Sequence, residues 1–116
     1  MARKTRKRLN YYTQEFLSYV AIRPVVRGRW EQTAAELFHQ AAEDPDVTAG
    51  QRDARDVVVE LLARELEQVY AATLPEGDSL WRVYVRHGFQ SIQWPEVAYQ
   101  IVWNWLPGAE VSHAQR

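Results

Sequence analysis

Proline and glycine punctuate this chain at regular intervals, and that spacing limits the lengths of the elements it can form. Pro24 with Gly28, Pro45 with Gly50, Pro75 with Gly77, Gly88 with Pro95, and Pro107 with Gly108 separate five apolar-periodic stretches. In the first, Leu9, Tyr12, Phe16, Tyr19, Val20 and Ile22 recur at helical steps, and Pro24 is expected to stop that helix. The second, from about Trp30 to Ala42, sets Trp30, Ala34, Leu37, Phe38 and Ala41 on one side, with Glu31 in its first turn. The third runs from about Ala49 to Ala72 behind Thr48 as its N-cap. Its inward stripe is Ala54, Val58, Leu61, Leu62, Leu66, Val69 and Thr73, widened by Val57 and Tyr70.

The fourth stretch fits two periods. Trp81, Val83 and Val85 alternate with Arg82, Tyr84 and Arg86 as in a strand, whereas Leu80, Trp81, Tyr84 and Val85 share a helical stripe. A lone strand would have nothing to pair with, so a helix is expected, capped by Asp78 or Ser79 and ended by Gly88. The fifth begins at Pro95 and runs to Leu106, with Trp94, Ala98, Ile101, Val102 and Trp105 inward. The expected fold is all-α, a compact bundle of about five helices. A flexible, disordered basic arm is expected at residues 1–8, a single helical domain at 9–106 and a frayed tail at 107–116.

At 116 residues the chain suits one domain. With no cysteine, thiolate zinc sites, iron–sulfur clusters and thiol nucleophiles are excluded. No apolar run has the roughly 18 residues of a membrane span, and the basic N-terminus has no apolar stretch behind it to serve as a secretion signal, so a cytoplasmic protein without a membrane role is expected.

Charge is distributed unevenly. The net charge is -1, yet residues 1–30 hold eight arginines and lysines against the single acid Glu15, while the remainder carries six arginines and fourteen acids. The basic end should attract anions and the body should repel them. Arg3, Lys4, Arg6, Lys7 and Arg8 form the arm, and Arg23, Arg27 and Arg29 form a second cluster in the turn after the first helix. Together they are candidates for phosphate or nucleic-acid contact, through counterion release. The structural alternative is a solvated terminus and arginines paired with acids of the third helix.

Aromatic residues crowd the C-terminal third: Trp81, Tyr84, Phe89, Trp94, Tyr99, Trp103 and Trp105. On a regular helix Trp94, Trp103 and Trp105 cannot all face inward, so Tyr99 and Trp103 are expected on the other side. With Trp81, Arg82 and Arg86 they form the candidate partner-binding surface, because Trp, Tyr and Arg dominate interface energetics. The alternative is a purely internal aromatic cluster, or a face for self-association.

Catalytic signatures are weak. Glu36 and His39 have the E-x-x-H spacing of helical di-metal sites, but no second such pair exists, and the edge of an amphipathic helix accounts for them. His87 before Gly88 suits a helix C-terminus. Ser18, Ser79, Ser91 and Ser112 lie in no nucleophile-elbow pattern, and no glycine-rich phosphate loop is present. Neither a metal nor a cofactor is expected. The reading is a non-catalytic helical binding module, a subunit or regulator docking on a larger protein or nucleoprotein assembly. Alternatives are direct, sequence-independent nucleic-acid binding through the arm and, third, a small metal-dependent helical enzyme.

Overall fold

The computed structural model describes residues 8–77 and 79–106, and no strand occurs among them. Six helices follow one another: α1 (Tyr11–Ala21), α2 (Pro24–Ala41), a single turn α3 (Pro45–Thr48), α4 (Ala54–Ala71), α5 (Leu80–Ser91) and α6 (Trp94–Tyr99). The last continues directly as a π-helical segment, Gln100–Trp105. The expected all-α bundle is therefore present. The ambiguous stretch is helical, with Ser79 as its N-cap accepting from the Arg82 amide. Arg3, Lys4, Arg6 and Lys7, Asp78 as an alternative cap, and the tail at 107–116 lie outside the described residues.

The core is the packing of α4 against α2 and α6. Val58, Leu62 and Leu66 on α4, and Val97, Ala98, Ile101 and Val102 on the last helix, are inaccessible to solvent. Burying such a side chain contributes about 1.5–3 kcal/mol, so these helices carry most of the hydrophobic stabilisation. From α2, Trp30, Ala34, Leu37 and Ala41 close the layer, as their spacing predicts. Trp30 Nε1 donates to Tyr70 Oη at 3.0 Å, so the buried indole keeps a partner.

Several boundaries differ from expectation, each for a local reason. Pro24 ends α1 and also opens α2 at its first position, where its missing N–H and preset φ are harmless. The second helix thus starts six residues earlier than Trp30, and Arg27, Gly28 and Arg29 are helical. Thr48 does not cap the third long helix. Asp44 caps the α3 turn by accepting from the Asp46 and Val47 amides, and the Thr48 hydroxyl donates back to the Pro45 carbonyl. Gly50 then takes a φ of 78°, a left-handed conformation that glycine adopts without a Cβ penalty. Asp53 caps α4 instead, accepting from the Arg55 amide.

Gly88 does not end α5, which continues to Ser91. A Cβ on Gly88 would lie 3.2–3.3 Å from the ring of Tyr12, so glycine here permits close approach of α1 and α5 rather than a cap. The α1 stripe is also less buried than its periodicity predicts. Thr13 and Val20 are its buried residues, while Tyr12, Tyr19 and Ile22 are exposed. Val69 on α4 and Thr73, two residues beyond its end, are exposed.

A polar clasp joins the start of α1 to the α5–α6 junction. The Gln93 amide donates to Thr13 Oγ1 at 2.9 Å, and the Asn10 amide donates to Gln93 Oε1 at 3.0 Å. Asn10 Nδ2 reaches the Ser91 carbonyl at 2.7 Å while its Oδ1 caps α1 through the Thr13 amide. Gln93 Nε2 in turn donates to the Arg8 carbonyl. Thr13 is fully buried, and its hydroxyl satisfies an amide at the α5–α6 junction that would otherwise lack a bond. The clasp fixes α1 against the C-terminal end of α5.

Candidate functional site: an aromatic groove beside α5

Helix α5 differs from the others of comparable length in having no buried residue. Its C-terminal half is anchored: Gly88 meets Tyr12, and Phe89 packs on Trp94 with centroids 5.3 Å apart. Toward its N-terminus the helix stands off the bundle. Leu80, Trp81 and Tyr84 are 69%, 71% and 65% exposed. Between this half of α5, the outer face of α1 and the end of α4 lies an open groove of about 510 Å³.

Rings form most of the groove. Its floor is an aromatic cluster in which Tyr70 stacks on Trp94 at 6.0 Å with planes 9° apart, and Phe16 meets both edge-on at 4.9 and 5.1 Å. Edge-to-face and offset-stacked pairs are the arrangements that the ring quadrupole favours, so the floor is held in one geometry. Tyr12 and Glu15 stand on the α1 wall, and Trp81, Tyr84 and Val85 on the α5 wall. Thr73 and Leu74 close the end. Among the residues lining the groove, Glu15 alone carries a formal charge.

The predicted partner-binding residues do not form one surface. Trp81 lines the groove. Arg86 Nη1 donates to the Pro75 carbonyl at 3.0 Å, and Arg82 lies over Gly77, where an added Cβ would come within 2.7 Å of Nη1. Both arginines thus engage the connection between α4 and α5, and neither lines the groove. Tyr99 and Trp103 lie on the other helix of the C-terminal region and are not presented with Trp81. Tyr99 is buried, and Trp103, half-buried, stacks on it at 5.7 Å with the Arg55 guanidinium 3.9 Å from its ring centroid.

An outward Tyr99 is not found because α6 is buried nearly all round, at Trp94 and from Glu96 to Tyr99, whereas the expectation for Trp103 assumed α-helical phase throughout. From Gln100 the helix is π-helical, with i→i+5 bonds that place more residues in each turn, so positions after Tyr99 no longer follow the α-helical rotation. Asn104 Nδ2 bonds Gln100 Oε1 at 2.7 Å along the same segment. Trp105, expected inward, is half-buried with Arg27 over its ring at 4.6 Å.

The second basic cluster is likewise divided. Arg23 stacks on Tyr19 at 3.9 Å and donates to the Tyr19 carbonyl. Arg27 bridges Glu31 at 2.9 Å. Two residues further on, at about 100° per residue, Arg29 points roughly 200° away from Arg27 and is exposed. A single footprint for phosphates is therefore not formed by these three, and Arg27 already has an acid and an indole as partners. Arg8 is also exposed, and its carbonyl joins the clasp.

Glu36 and His39 are both exposed on α2, and Gln32 reaches Glu36 at 3.5 Å. Among the described residues no three His, Asp or Glu side chains are placed to hold one metal ion, and no helix is long and apolar enough to cross a membrane.

Of the residues lining the groove, Trp81 alone was placed in a site by sequence reasoning; Tyr12, Glu15, Phe16, Tyr70 and Tyr84 are among those it missed. Each was readable as part of a helix face, but nothing in the chain shows that α1 and the end of α4 flank α5. The one available signal was the length of the α4 stripe, which runs on to Tyr70. Comparison with family models, curated proteins and solved structures returns no match to this chain.

Proposed function

We propose that the chain is a non-catalytic helical binding module, and that the aromatic groove beside α5 docks a helical segment of a larger protein partner. The observation that carries this is the splayed half of α5, whose apolar side chains stand in solvent over a preformed ring-lined groove. A fully buried aromatic side chain removes about 150–250 Å² from water, so Tyr12, Trp81 and Tyr84 leave on the order of 400 Å² of largely apolar area uncovered. That is comparable to the largest exposed patch of a typical monomer, which is often a functional one. Laying the apolar edge of a helix into a groove between helices is a common recognition mode, and Trp and Tyr are the residue types that anchor such contacts.

The test is anisotropy of a labelled 16-residue helical peptide with Leu and Phe at i, i+3, i+4 and i+7, titrated with the full chain. Saturable binding is expected, weakened at least tenfold by Trp81→Ala together with Tyr84→Ala, substitutions at exposed positions that leave the helical spectrum unchanged. Unchanged affinity in that double variant would remove the groove from the reading. A concentration-dependent dimer in sedimentation, broken by the same pair, would replace the partner by a second copy.

A further inference from the structure

We infer that the segment docked in this groove carries an arginine or lysine side chain, received by the ring faces of Trp81 and Tyr84 and by the carboxylate of Glu15. This rests on the docking reading above and adds the chemistry of what docks. Elsewhere in the molecule, three partly exposed rings are covered by the chain's own guanidinium groups: Arg23 lies over Tyr19, Arg27 over Trp105 and Arg55 over Trp103, at 3.9–4.6 Å from the centroids. Such a cation is attracted by the negative face of the ring and shields it from water through its planar, weakly hydrated surface.

Trp81 and Tyr84 are more exposed than any of those rings, and no arginine or lysine among the described residues lies over them. Of the two nearest along the helix, Arg86 bonds the Pro75 carbonyl and Arg82 lies beside Gly77. Among the described residues, the groove lining therefore combines electron-rich faces with one carboxylate and no cation, which favours a positive group and disfavours a negative one. A guanidinium at the edge of an apolar stripe meets all three features at once. An acidic segment would bring its carboxylates against Glu15 and the ring faces.

Three labelled 16-residue peptides test this, sharing the Leu and Phe stripe and differing at one central flanking position, which is Arg, Gln or Glu. The Arg peptide is expected to bind the full chain about tenfold more tightly than the Gln peptide, with the Glu peptide weakest. Glu15→Gln, at an exposed position, should shrink the Arg-to-Gln ratio severalfold and leave the Gln peptide's affinity unchanged. Equal affinities for all three, or preference for Glu, would overturn the charge inference while leaving the docking reading intact. Absence of saturable binding by every peptide would overturn both. Displacement of the Arg peptide from wild type, but not from the Trp81→Ala, Tyr84→Ala chain, by a 16-nucleotide thymidine oligomer would assign the groove to nucleic acid instead.

Discussion

Helices α4 and α5 are both amphipathic and lie only a short connection apart, yet they have opposite fates. α4 is sandwiched between α2 and α6, and Val58, Leu62 and Leu66 have no solvent contact. α5 rests on the bundle at its C-terminal end and holds Trp81 and Tyr84 in water. The difference is one of neighbours rather than of residue type. α4 has helices on two sides, whereas α5 meets α1 and Trp94 of α6 near its C-terminal end and, among the described residues, has no helix packed over Trp81 and Tyr84. An apolar side chain stabilises the fold only where a second surface removes it from water, so the aromatic content of α5 is available for recognition.

The sharpest way to break this comparison is to truncate one residue in each helix. Leu62→Ala removes a fully buried side chain from the α4 core and is expected to cost about 2–5 kcal/mol in urea unfolding, through lost transfer energy and the cavity left behind. Trp81→Ala, although the larger truncation, is expected to stay within about 0.5 kcal/mol of wild type, because most of that indole is already hydrated. Comparable losses from the two would make α5 part of the core and remove the groove's claim to function.

Next in size is the clasp, which decides where α5 sits. Thr13→Val keeps the shape of a fully buried side chain but leaves the Gln93 amide without its acceptor, at a cost of about 1–3 kcal/mol. Hydrogen exchange should show the loss first at the α5–α6 junction, with the α4 amides following only at the level of global unfolding. Uniform acceleration across both helices would mean that α5 and α4 open as one unit.

The same contrast explains what could be read before any coordinates were known. Periodicity identified the buried faces of α2 and α6 because Trp30, Ala34, Leu37, Ala98 and Ile101 are enclosed on both sides, and pattern then equals burial. It overestimated α1, since Tyr12, Tyr19 and Ile22 share a stripe that the bundle does not fully cover. Pro24 stops α1 as expected but also opens α2, and Gly88 does not end α5, for a different reason. A proline suits both the end of one helix and the first position of the next, and a glycine inside a helix can serve a close approach; only the tertiary neighbours decide. The clasp joins Asn10 and Thr13 to Gln93 across about eighty residues, a pairing without any local signature. The groove was partly legible through Trp81, but its other wall comes from α1.

Glycine offers the finest version of the comparison, because Gly28 and Gly88 are both within helices and neither has a positive φ. Gly28 lies on the exposed side of α2, where an added Cβ meets nothing within 4 Å. Gly28→Ala should therefore stabilise the chain by about 0.5–1 kcal/mol, the helix-propensity difference obtained without a packing cost. Gly88→Ala has the same intrinsic gain but must push the Tyr12 ring aside by a few tenths of an ångström. Its net effect should fall below that of Gly28→Ala, and the displaced ring should change the groove's affinity for an apolar peptide. Equal stabilisation by the two, with peptide affinity unaltered, would mean that Tyr12 yields without consequence and that the approach of α1 to α5 does not set the width of the groove.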